Sequence, residues 1–162
     1  MRCAIIMLVC CIACLVHAEP FLTLSAPATN IVLNADDFAA LHHLKMRLLD
    51  PHEKKAHQFS GVVVSEILAR AGAPAGEKLR GRALSFIVIF RARDGYAVSF
   101  ALADFDSDYS DRTIFLADHE DGAPLSGTAG PLRLIVPGDK KAARWERMVI
   151  GMEIIDPDAL NR

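Results

Sequence analysis

Apolar and polar residues alternate with a period of two in several short runs, and helical spacing is confined to two brief stretches. Phe21 to Ser25 fits a first strand. Asn34 is a good N-cap for a helix from Ala35 to Leu41, with Asp36 and Asp37 placed against the positive end of its dipole. Leu44 to Leu49 and Ala56 to Phe59 read as strands flanking Asp50-Pro51-His52-Glu53-Lys54-Lys55, a turn composition that predicts a hairpin loop. Gly61 to Val64 leads into a helix from Ser65 to Ala71, ended by Gly72 and Pro74. Leu84 to Phe90 is almost continuously apolar and predicts a strand buried on both faces. The turn Arg91 to Gly95 returns the chain into an alternating strand, Tyr96 to Leu102. An acidic loop from Asp104 to Asp111 and a strand from Thr113 to Ala117 follow.

The most informative stretch is Gly130 to Ile155. Leu132, Leu134 and Val136 alternate with Arg133 and Ile135 until Pro137-Gly138 stops the run. After a basic turn, Trp145 to Ile155 resumes as a strand, so the whole reads as a hairpin-like corner. Arg133, Lys140, Arg144 and the only tryptophan, Trp145, gather there. Indole beside guanidinium suits a planar, polar ligand, because the ring stacks and arginine offers forked donors. The competing reading is an ordinary corner, with Trp145 plugging the core and the cations solvated. The loop carrying Lys54 and Lys55 is expected to lie far from this corner.

The chain has 162 residues, enough for one domain with a single core. Cys3 to Val16 is an apolar run too short to span a bilayer, and Val16-His17-Ala18 ends it with small residues at the positions a signal peptidase reads. Residues 1–18 are therefore expected to be a secretory signal peptide and 19–162 the mature chain, located in the periplasm. Lipidation at Cys14 is the alternative. All four cysteines, Cys3, Cys10, Cys11 and Cys14, lie inside that segment, so no disulfide or thiolate ligand is expected in the mature protein. Without Arg2 the balance is 17 basic against 20 acidic residues, near −3, which points away from nucleic acid and from anionic membrane.

Catalytic signatures are lacking. Asp104-Phe105-Asp106-Ser107-Asp108 has the alternation of a calcium loop, but Tyr109 and Phe115 stand where glycine and glutamate are needed. His42, His43, His52, His57 and His119 show no ligand spacing and read as surface residues, so no metal site is expected. Ser126 and Thr128 sit among glycines and could donate hydrogen bonds, with no base supplied to either. There is no nucleophile elbow and no phosphate-binding glycine loop.

Four pieces, in order, resemble sulfite-oxidase-like molybdopterin-binding domains. They are Phe59 to Pro74 (FSGVVVSEILARAGAP), Asp94-Gly95-Tyr96, Asp121 to Leu125 and Gly130 to Pro137 (GPLRLIVP). The resemblance spans about Val32 to Ile155 and implies a mainly β, α+β domain of that type with a few short helices. It implies a pterin held by Arg133 and the Arg144-Trp145-Glu146 corner, with Thr128, Asp94 and Tyr96 nearby. Members of the family hold molybdenum through a cysteine upstream of the first piece, and Glu19 to Ser60 contains none. The chain is thus similar to short exported members that bind a pterin without molybdenum, some of which regulate a membrane-bound cyclic-dinucleotide enzyme through its periplasmic domain. A molybdopterin-dependent oxidoreductase-like subunit, with its metal ligand supplied from elsewhere, and a secreted interaction domain with a vestigial pocket remain the other two readings.

Overall fold

The computed structural model describes residues 20–161. The expected signal peptide, its cleavage point before Glu19 and the lipidation alternative at Cys14 fall outside those residues. Ten strands and two α-helices form: β1 (Leu22–Ala26), β2 (Thr29–Leu33), α1 (Ala35–Ala39), β3 (Leu44–Leu49), β4 (Ala56–Val63), α2 (Val64–Arg70), β5 (Ile87–Ala92), β6 (Ala97–Ala101), β7 (Phe115–Glu120), β8 (Ala123–Pro124), β9 (Arg133–Ile135) and β10 (Val149–Ile155). One sheet runs β2-β1-β10-β5-β6, parallel only between β1 and β10. The other runs β3-β4-β7-β8, and β9 also pairs with β7. Side chains of both sheets and of α2 share one hydrophobic core that includes Leu24, Phe59, Ile67, Phe90, Phe115, Leu134 and Met152. Among the described residues, no helix is long and apolar enough to cross a membrane.

Local chemistry explains the helices. Asn34 Oδ1 accepts the Asp37 amide at 2.9 Å while Asp37 Oδ2 accepts the Asn34 amide at 3.1 Å, a reciprocal cap that starts α1. Helix α2 stops because Gly72 takes φ +73°, which lets the Ala73 amide reach back to the Leu68 carbonyl at 3.1 Å.

Thr29 to Leu33, for which the sequence predicts no element, forms an edge strand, β2. Two expectations are corrected. Leu84 to Phe86 lies outside the sheet, and β5 begins at Ile87 with alternating rather than two-sided burial. The corner from Gly130 to Ile155 is not a hairpin within one sheet. Strand β9 belongs with β7, and β10 lies between β1 and β5. Only two backbone hydrogen bonds join the runs, Leu134 amide to Glu146 carbonyl (2.7 Å) and Val149 amide to Leu132 carbonyl (2.9 Å). The corner is therefore the seam between the two sheets, where Leu132 to Val136, Trp145 and Glu146 are buried.

Candidate functional site

A cleft of about 480 Å³ opens between the end of β3 and the loop after β9. Leu48, Leu49, Asp50, Pro51 and Lys54 line one wall; Pro137, Gly138, Asp139 and Lys140 line the other, with Trp145 beside them. Its size falls within the roughly 300–1,000 Å³ typical of small-molecule sites.

Each wall has a local cause. Asp50 Oδ1 accepts the amides of His52 (2.7 Å) and Glu53 (3.2 Å), and the Lys54 amide donates to the Asp50 carbonyl (2.8 Å). Those bonds fix the β3–β4 loop and hold Lys54 at φ +57°. On the far side Gly138 turns at φ +84°, and Asp139 is clasped by Arg144 through Nε (2.7 Å) and Nη2 (2.5 Å). The same bond to Asp139 raises the Arg144 pKa. Its guanidinium lies over Phe100, 4.7 Å from the ring centre. Lys54 and Lys140 are exposed and form no ion pair among the described residues. The cleft thus joins an apolar, partly aromatic lining to two unpaired cations.

Behind the cleft sits a buried ionic layer. Arg133 is 1% exposed and Asp50 0%, and their side chains meet at 2.7 Å. The Arg133 guanidinium lies 5.5 Å from the Phe59 ring centre and 5.6 Å from that of Trp145. Burial pushes the Asp50 pKa up, but the His52 amide and the Arg133 guanidinium outweigh it and hold the carboxyl below its usual value. Trp145 is 5% exposed, its Nε1 donates to the Val136 carbonyl at 2.8 Å, and Phe59 meets it edge-on at 5.8 Å.

The residues singled out from the sequence are not brought into one pocket. Of the four corner residues, Lys140 and the mostly buried Trp145 border the cleft, and the indole already carries the Arg133 cation. Arg133 points into the ionic layer rather than outward. Arg144 braces the cleft wall through Asp139. Glu146 is 2% exposed and faces the β5–β6 turn, with both carboxylate oxygens lacking a hydrogen-bond partner among the described residues. The Ala92 amide beside it donates to the Tyr96 carbonyl at 2.9 Å. Burial first, then the Asp94 charge, raises the Glu146 pKa to about 7. Asp94 accepts the Tyr96 amide (3.0 Å), Tyr96 donates its hydroxyl to the Ala143 carbonyl (2.9 Å), and Thr128 stands exposed in the turn before β9.

Two further placements differ from expectation. Lys54, expected far from the corner, lies in the same cleft as Trp145 and Lys140. His57 is buried at 6% exposure, not a surface residue. Asp50 had no sequence signal beyond its place at a strand end. A second cleft of about 560 Å³ overlies the acidic loop and touches none of the residues expected to hold a pterin. There Asp106 accepts the Gly76 amide (2.6 Å) and the Asp108 amide (2.9 Å), while Asp104 pairs with Arg112 (2.8 Å).

The crystal structure of the sulfane dehydrogenase SoxCD from Paracoccus pantotrophus is similar, at a TM-score of 0.61 and 19% identity. The likeness covers 83% of this chain and only 38% of that one, and at this identity it establishes a shared fold. No curated protein matches the chain. Residues 42–161, most of the chain, match the oxidoreductase molybdopterin binding domain, a span that takes in β3, the cleft, β9 and β10. The chain therefore belongs to the oxidoreductase molybdopterin binding domain family.

Proposed function

We propose that this protein is an exported, periplasmic, non-catalytic module that holds a pterin in the cleft between β3 and the loop after β9, without molybdenum. The observation that carries the reading is the cleft itself. It is the cavity that Trp145 borders, and it is walled by the two loops that follow β3 and β9. The apolar lining around Leu48, Leu49 and Pro137 suits a flat bicycle, and Lys54 and Lys140 suit anionic or carbonyl groups on its rim. The residues fit a pterin and not a thiolate-held metal, since no cysteine follows Cys14. The carboxylate nearest the cleft, Asp50, is already paired with Arg133. A sensor role toward the periplasmic domain of a membrane-bound cyclic-dinucleotide enzyme rests on family resemblance.

The test is titration of the untagged mature chain with a soluble pterin, read by calorimetry and by quenching of Trp145, the sole tryptophan. Saturable binding that quenches the indole is expected. Lys54→Ala and Lys140→Ala should each weaken it, and Lys55→Ala, outside the cleft, should not. Absence of saturable binding, or binding indifferent to both cleft lysines, refutes the assignment.

A second reading, an oxidoreductase-like subunit, is favoured by the family match. Molybdenum in natively exported protein, at about one atom per chain, would decide for it and against the first.

A further inference from the structure

We propose that Glu53, His57 and Glu120 form a site for a divalent cation of the zinc class, with Asp121 orienting the imidazole. One ligand atom from each of the three residues lies within 4.8 Å of the others. The site is separate from the pterin cleft and does not depend on that assignment.

His57 is the second residue of β4 and is buried at 6% exposure. Its Nδ1 lies 2.7 Å from Asp121 Oδ2 and 3.0 Å from Glu120 Oε1. Of these two, Asp121 Oδ2 is the hydrogen-bond partner of Nδ1 and orients the ring, while Glu120 Oε1 is close without bonding it. Nε2 is buried and has no hydrogen-bond partner among the described residues, yet Glu53 Oε2 stands 3.2 Å away. Nε2 and Glu53 Oε2 therefore stand close with no hydrogen bond joining them, a spacing that two ligand atoms of one cation share.

The donor set matches the chemistry. One imidazole nitrogen and two carboxylate oxygens are zinc ligands, and a carboxylate bound to the other ring nitrogen is how metal-bound histidines are held. Neighbouring cations leave the inward oxygens free. Arg147 approaches Glu53 Oε1 at 3.7 Å and Arg133 approaches Glu120 Oε2 at 3.8 Å, so Glu53 Oε2 and Glu120 Oε1 remain turned to the histidine. Around the histidine stand four carboxylates, Asp50 and Glu120 beside Arg133, Glu53 beside Arg147, and Asp121 beside the more distant Lys55. The balance is negative. The Glu53 side chain is 45% exposed, which gives an ion a route in.

The experiment is calorimetric titration of the untagged, chelator-treated mature chain with zinc chloride at one fixed pH, with cobalt(II) absorption as a second readout. One ion per chain is expected, together with a visible cobalt band. Glu53→Gln and His57→Gln should each weaken zinc at least about tenfold, and Asp121→Asn about 10–100-fold. His119→Gln, outside the cluster, should bind as the wild type does. Should His57→Gln fail to fold, Glu53→Gln, at a half-exposed position, decides alone. No zinc binding by the wild-type chain, or binding unchanged in Glu53→Gln, overturns the site.

Discussion

Arg133 and Asp50 pair in the interior, Nη2 to Oδ2 at 2.7 Å, the guanidinium packed against the rings of both Phe59 and Trp145. The pair ties β9 to the end of β3 across the floor of the cleft, so the site's shape and the fold's stability share one contact. Removing one partner leaves the other charge buried and uncompensated, which costs about 3–5 kcal/mol. Arg133→Ala and Asp50→Ala should each lower the unfolding free energy in urea by that order. Replacing both with apolar residues of similar size should cost less than the two losses added. A wild-type melting curve for Arg133→Ala would show that the pair does not support the fold.

Trp145→Ala should act on stability before it acts on any ligand. The indole is 5% exposed and wedged among Phe59, Arg133 and the Val136 carbonyl. Truncating a buried aromatic costs about 3–5 kcal/mol. Trp145→Phe keeps a ring and forfeits the Nε1 hydrogen bond, worth about 1 kcal/mol. The urea midpoints should therefore order as wild type, Trp145→Phe, Trp145→Ala, and equal midpoints for all three would exclude a packing role.

Gly61→Ala should be among the most disruptive small substitutions. Gly61 sits at the register shift between β4 and β7, where the strands come unusually close. An added Cβ would stand 2.0 Å from the Leu116 carbonyl oxygen and 2.5 Å from the Ala117 Cα. Both are backbone atoms of a buried strand and cannot move aside, so the strands must separate. The variant should melt well below the wild type. An unchanged melting temperature would mean that the shift relaxes without cost.

Much of this was legible because period-two alternation reports burial directly. Leu44–Leu49 and Tyr96–Leu102 each had one wet face, and the structure places strands at Leu44–Leu49 and Ala97–Ala101. Pattern does not name a strand's partner. Arg133 alternates in sequence like an exposed residue, yet β9 is covered on both faces and it is buried. The same blindness made the seam look like a hairpin. Lys54 was missed because the β3–β4 loop meets the loop after β9 only through tertiary folding. His57 lacked any signal, since its carboxylate neighbours Glu120 and Asp121 lie more than sixty residues away.

Glu146 should make the protein less stable as pH rises through the neutral range. Its carboxyl is 2% exposed, unpartnered among the described residues, and raised from 4.5 to about 7 by burial and then by Asp94. Between those two values the folded state holds a proton that the unfolded state has released, so the slope of unfolding free energy against pH is negative there. The favourable contribution is whole below about 4.5 and is lost as pH climbs through about 7, with an upper bound of roughly 3 kcal/mol. Glu146→Gln has no such charge to bury. It should flatten the fall in urea stability between pH 5 and pH 8 and exceed the wild type at the alkaline end. Parallel slopes for the two proteins would mean that Glu146 is solvated in the folded state and titrates normally.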